Sequence, residues 1–72
     1  MIPTTWASVE SSNIDALKFD NQGGNLHVRF KSGAEYIYEE VPVELVEALY
    51  HAGSVGTFLR ENIMGNYTHR RV

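Results

Sequence analysis

Leu26, Val28 and Phe30 alternate with His27, Arg29 and Lys31, a period of two that predicts a strand with one buried and one wet face. Ser32-Gly33 supplies a hairpin connection, and residues 34–39 read as the return strand. Upstream, residues 14–19 carry apolar side chains on both parities, Ile14 and Ala16 on one and Leu17 and Phe19 on the other, which predicts a strand with an imperfect period or a bulge. Residues 20–25, with Gly23-Gly24 inside, form the turn between these strands, and residues 5–9 are a candidate edge strand. Beyond the hairpin the period changes. Pro42 suits the first turn of a helix, Leu45, Val46, Leu49 and Tyr50 recur at helical spacing, and Gly53 is placed to end that helix in a left-handed conformation. Ser54 can cap a second short helix, with Phe58, Leu59, Asn62 and Ile63 along one side and Gly65 as its stop. The pattern therefore predicts an α+β fold: a three- or four-stranded antiparallel sheet followed by two short helices packed on one face. It forms one domain over residues 1–72, with 66–72 a flexible tail that frays unless Tyr67 docks.

The hairpin register decides which way Tyr36 and Tyr38 point, because a slip of one residue exchanges the two faces of a strand. A two-residue Ser32-Gly33 loop pairs Arg29 with Tyr36 and His27 with Tyr38, and builds an aromatic and cationic platform on the wet face. A three-residue loop, Lys31-Ser32-Gly33, pairs Val28 with Tyr36 and Leu26 with Tyr38, and puts both rings in the core. Both loops are compatible with the sequence. Only the first makes Tyr36, Tyr38, Arg29 and His27 a binding anchor.

At 72 residues the chain buries about 60% of its unfolded surface, which leaves little room for an enclosed substrate pocket. With no cysteine there is no disulfide framework, thiolate metal site or cysteine nucleophile. No apolar run is long enough to span a bilayer, and the N-terminus lacks a signal-peptide pattern, so the expected location is cytoplasmic. The formal net charge of -3 disfavours a general binder of phosphate backbones. Its distribution is uneven: Glu35, Glu39, Glu40, Glu44 and Glu47 come without an intervening Lys or Arg, whereas Arg60, Arg70 and Arg71 near the end face only Glu61.

His27, His51 and His69 fall on a strand, a helix end and the tail, with no pair at ligand spacing, so no metal or cofactor is expected. Ser11 or Ser12 could join a histidine and Asp15 on paper, but no nucleophile turn or oxyanion-hole sequence accompanies them, and a turn role fits better. Gly23-Gly24 and the glycines at 53 and 56 lack the lysine of a phosphate loop. No catalytic residue is assigned. Trp6 reads as a lid on the small core, with an exposed anchor as the alternative. The segment from Tyr67 to Arg71 can reach a nucleic-acid backbone or an acidic protein surface.

Several short motifs recur in order: Val9-Glu10-Ser11-Ser12-Asn13-Ile14, Phe19-Asp20, Leu26 to Phe30, Tyr36-Ile37-Tyr38, Val41-Pro42, Ser54-Val55-Gly56, Phe58, Asn62-Ile63 and Tyr67. Taken together they resemble the KTSC domain over nearly the whole chain. That family is named for domains at the C-terminus of some lysyl-tRNA synthetases, and it also includes small stand-alone bacterial and phage proteins. The synthetase setting implies RNA binding. A stand-alone phage member that regulates transcription implies instead a protein partner, host RNA polymerase, and residence in the host cytoplasm. The chain has Lys18-Phe19-Asp20 where members often have glycine-tyrosine-aspartate, and Arg60 is followed by Glu61 where basic residues are often denser.

These readings converge on a non-enzymatic protein-binding module, a small transcription regulator in its most specific form. Tyr36, Tyr38, Arg29 and His27 are its expected anchor, and Glu40, Glu44 and Glu47 steer a basic partner. The alternative is an RNA- or tRNA-binding accessory module, with Lys31, Arg60, Arg70 and Arg71 on phosphates, which requires those cations to share a face. A homo-oligomeric structural protein is the third possibility.

Overall fold

A computed structural model describes residues 5–72. The chain runs through β1 (Ala7–Ser8), β2 (Ile14–Asp20), β3 (Asn25–Phe30), β4 (Glu35–Tyr38), α1 (Val43–Tyr50), α2 (Val55–Asn62) and β5 (His69–Arg71). The strands form one antiparallel sheet in sequence order. The α+β class is as the periodicities predict, but among the described residues the sheet has five strands rather than three or four. The additional strand comes from the C-terminal segment. Tyr67 packs against the core, and residues 69–71 then pair with β4, so the segment expected to fray continues the sheet.

Of the two readings open for residues 14–19, β2 has the bulge, between Ile14 and Ala16. It lets Ile14 and Leu17, three residues apart, both reach the core, which a regular period of two forbids. The β3–β4 hairpin adopts the three-residue loop. Phe30 N–H donates to Ala34 O at 2.8 Å, Gly33 N–H to Phe30 O at 2.9 Å, and Gly33 takes a φ of 97° that few other residues tolerate. Leu26 therefore faces Tyr38 and Val28 faces Tyr36.

That register assembles the core on one face of the sheet. Leu17, Phe19, Leu26, Val28 and Tyr38 meet Val46 and Leu49 of α1 and Val55 and Leu59 of α2 in one apolar cluster. Pro42 stands at the N-cap of α1 without a side-chain hydrogen bond, one position before the first helical turn expected for it. At the other end, Ala52 N–H reaches back three residues to Leu49 O and tightens the last turn, so Gly53 is not needed as a left-handed stop and does not adopt positive φ. Ser54 caps α2 as expected, its Oγ accepting from Thr57 N–H at 3.4 Å.

The serine-rich motif before β2 joins the helices to the sheet. Ser11 Oγ accepts from Ile14 N–H at 3.2 Å and donates to Asn13 Oδ1 at 3.1 Å. A Cβ on Gly56 would stand 3.1 Å from Asn13 Oδ1 and 3.3 Å from Ser11 Oγ, so the glycine permits this turn to lie against α2. The motif serves folding, as a turn role predicts.

Tyr38 is 1% exposed, whereas Tyr36 is only half-buried. Tyr38→Ala is expected to remove about 3–5 kcal/mol, most of the stability of so small a domain, and Tyr36→Ala distinctly less. Urea unfolding of the two variants measures the difference; equal losses would contradict the depth assigned to Tyr38.

Candidate functional site

The helices cover one face of the sheet, and side chains of the other parity form its open face. Strand pairing aligns Lys18, His27, Ile37 and Arg70 in one row across four strands, with Ala16, Arg29 and Glu35 in the next. Ala16 and Ile37 are 2% and 7% exposed yet stand apart from the main apolar cluster, so long neighbouring side chains cover them from the solvent side.

Trp6 organises this face. It precedes β1, and the Ala7–Leu17 pairing brings it beside Lys18. Lys18 Nζ lies 4.9 Å from the ring centroid and the Arg29 guanidinium carbon 4.5 Å, while the His27 ring meets it edge-on at 6.2 Å. Each cation contact contributes on the order of 0.5–1 kcal/mol at an accessible site. Arg29 Nε is also fixed by Asp15 Oδ2 at 3.0 Å. The indole is thus held on the open face rather than acting as a lid on the main core.

The remaining charges are nearly matched. Glu39 Oε2 lies 3.8 Å from Arg70 Nε, and Asp20 and Glu35 are close enough to His27 to favour its charged form. Partial burial outweighs them and, with Lys18 and then Arg70 adding repulsion, holds the His27 pKa below its ordinary value.

The anchor expected from the sequence is therefore divided. His27 and Arg29 lie on the open face, but Tyr36 and Tyr38 point to the other side, because the three-residue loop replaces the two-residue loop which that platform requires. Tyr38 is sealed in the core, where burial and then Tyr36 raise its pKa. Tyr36 packs edge-on to Phe30 at 5.8 Å and His69 at 5.9 Å, and its free flank lines an open depression of about 520 Å³ with Phe30 and Lys31. Glu44 and Glu47 are exposed on α1, the layer opposite Trp6, and Glu40 turns the chain toward that helix with a φ of 55°. These glutamates do not join His27 and Arg29 in one site.

The expected RNA contacts are also dispersed. Arg70 is on the open face, Arg71 has the opposite parity beside Tyr36, Lys31 lies in the hairpin loop and Arg60 is exposed on α2. The central place of Trp6 on the open face is hidden at the level of sequence, because a two-residue strand offers no periodicity to orient it. Its only sequence signal is its place within the candidate edge strand over residues 5–9.

His27 provides a pH test of this geometry. Its folded pKa lies below the unfolded value, so the unfolded chain takes up the proton first as pH falls, and stability rises with pH between the two values. The contribution is complete above about pH 6.5 and is lost as pH falls through the folded value. Between about pH 7 and pH 5 the urea midpoint of the wild type is expected to drop further than that of His27→Gln. Parallel curves would remove His27 from this linkage.

The fold and motifs have relatives. A protein of Stutzerimonas stutzeri strain A1501 is 45% identical over 49 residues, 68% of this chain and 69% of that protein. A protein of Tsukamurella paurometabola is 45% identical over 51 residues, covering 71% of this chain and 76% of that one. The crystal structure of a KTSC domain protein from Yersinia pestis superposes with a TM-score of 0.91 at 26% identity, covering 94% of this chain and 96% of that chain. The family profile described as KTSC domain matches residues 10–67. The chain belongs to the KTSC domain family.

Proposed function

We propose that this protein is a non-enzymatic module that binds another protein through the open face of its sheet. The reading rests on Trp6, held against the cations of Lys18 and Arg29 on the face the helices leave uncovered. Tryptophan and arginine are the residue types that most often dominate protein interfaces, since each offers a large contact area with a polar edge. Regulatory members of the family suggest a component of the transcription machinery as partner, with RNA polymerase the first to assay.

Charge favours protein over RNA. Asp15, Asp20, Glu35 and Glu39 accompany Lys18, Arg29 and Arg70, so the face lacks the cationic excess needed to displace counterions from a phosphate backbone. A mosaic of both signs selects a complementary protein surface instead. Glu44 and Glu47, on the far layer, contribute to the long-range field and not to contacts.

Affinity capture from host extract, with and without nuclease, tests the proposal. The retained partner is expected to survive nuclease and to bind at least about tenfold more weakly to Trp6→Ala and Arg29→Ala, while Arg60→Ala binds as the wild type does. Partner loss on nuclease treatment, or full retention by a folded Trp6→Ala variant, contradicts it. Purified RNA polymerase then tests the specific partner separately.

A further inference from the structure

Among the described residues the sheet ends at β5, which has β4 on one side and no strand on the other. Glu39 N–H donates to Thr68 O at 2.8 Å, and Val72 N–H donates to Glu35 O at 2.9 Å. Hydrogen-bonded pairs alternate along an antiparallel ladder, so Arg70 directs its backbone groups toward Ile37, and those of His69 and Arg71 point to the free edge. All three residues are exposed. An edge with spare N–H and C=O groups is a template for an extended chain.

Its side chains select the kind of chain. His69, Arg70 and Arg71 follow one another, and the one ion pair they make among the described residues is the 3.8 Å approach of Arg70 to Glu39, with both side chains well exposed. Such a pair is weak and readily exchanged. Arg71 retains its charge for a newcomer. A second copy docking antiparallel through β5 would set this basic run against itself, and like charges directly opposed across strands are destabilising. We propose that β5 is a docking edge for an extended acidic peptide, which adds to the sheet as a sixth strand. Its main chain would pair with His69 and Arg71, and its carboxylates would meet Arg70 on the open face or Arg71 on the other. This edge is separate from the Trp6 cluster over β2 and β3, and the proposal does not depend on that cluster's partner.

The test is an amide-resolved NMR titration of the whole chain with a blocked peptide alternating glutamate and valine, and with its lysine counterpart. The acidic peptide is expected to shift the amides of β5 and slow hydrogen exchange at His69 and Arg71, leaving the Trp6 indole signal in place. Arg71→Pro removes a free-edge N–H without touching the ladder to β4, and the double reversal Arg70→Glu, Arg71→Glu inverts the charge. Each is expected to weaken binding roughly tenfold or more, as for loss of charge-assisted hydrogen bonds, while Trp6→Ala leaves it unchanged. If Arg71→Pro disturbs the strand itself, the charge reversal carries the comparison. No response to the acidic peptide at low salt, an equal response to the lysine peptide, a stronger response to a single-stranded oligonucleotide, or β5 shifts that follow protein concentration alone would each overturn the proposal.

Discussion

The register of the β3–β4 hairpin is the constraint on which the rest of the structure depends. One residue of loop length decides whether Tyr36 and Tyr38 share a face with Leu26 and Val28 or with His27 and Arg29. The three-residue loop gives the core Tyr38, among its largest fully buried side chains, and presents α1 and α2 with a continuous apolar surface. The alternative would withdraw both rings from a domain that has few large groups to bury. Core formation therefore selects the loop, and Gly33 at positive φ makes that loop accessible. The same choice leaves His27 and Arg29 beside Trp6, so the composition of the open face follows from what the core required.

Electrostatics then divides the molecule by layer. The run of glutamates from Glu35 to Glu47 reads in sequence as one acidic side, but the turn at Glu40 splits it. Glu35 and Glu39 remain with the sheet, where they offset His27 and Arg70, whereas Glu44 and Glu47 go to α1. The open face is thus close to neutral although the chain is acidic. On β5, Arg70 meets Glu39 and Arg71 has no carboxylate partner among the described residues. Total charge alone would have hidden both features.

Much of the fold is legible in the sequence because burial imposes periodicity. The alternation in β3, the two parities of β2 that admit a bulge, and the Ser54 cap each follow from local chemistry, and each is present. The features that escape are those without a periodic signal. β1 is present as the edge strand expected within residues 5–9, whereas β5 consists of three exposed side chains whose strand conformation comes from pairing with β4, not from their own pattern. The hairpin register escapes for a different reason: Ser32-Gly33 satisfies either loop, and the decision lies in contacts with helices that begin only at Val43. The expected tyrosine platform required the shorter loop, so its tyrosines lie on the helix side, Tyr38 in the core and Tyr36 at its margin, and Trp6 stands in their place on the open face.

The residues that carry the family resemblance now have physical roles, and those roles are architectural. Ser11, Asn13 and Gly56 form the contact between the β2 turn and α2, Tyr38 fills the core, and Ser54 caps a helix. A fold assembled by such residues persists at 26% identity while its surface is free to differ. Membership in the family therefore speaks to the core and not to the partner. Lys18 makes the point within this chain. Its neighbour Phe19 is buried, and its own ammonium lies against Trp6. A strand position facing away from the core thus adds a cation to the proposed binding surface without altering the core behind it.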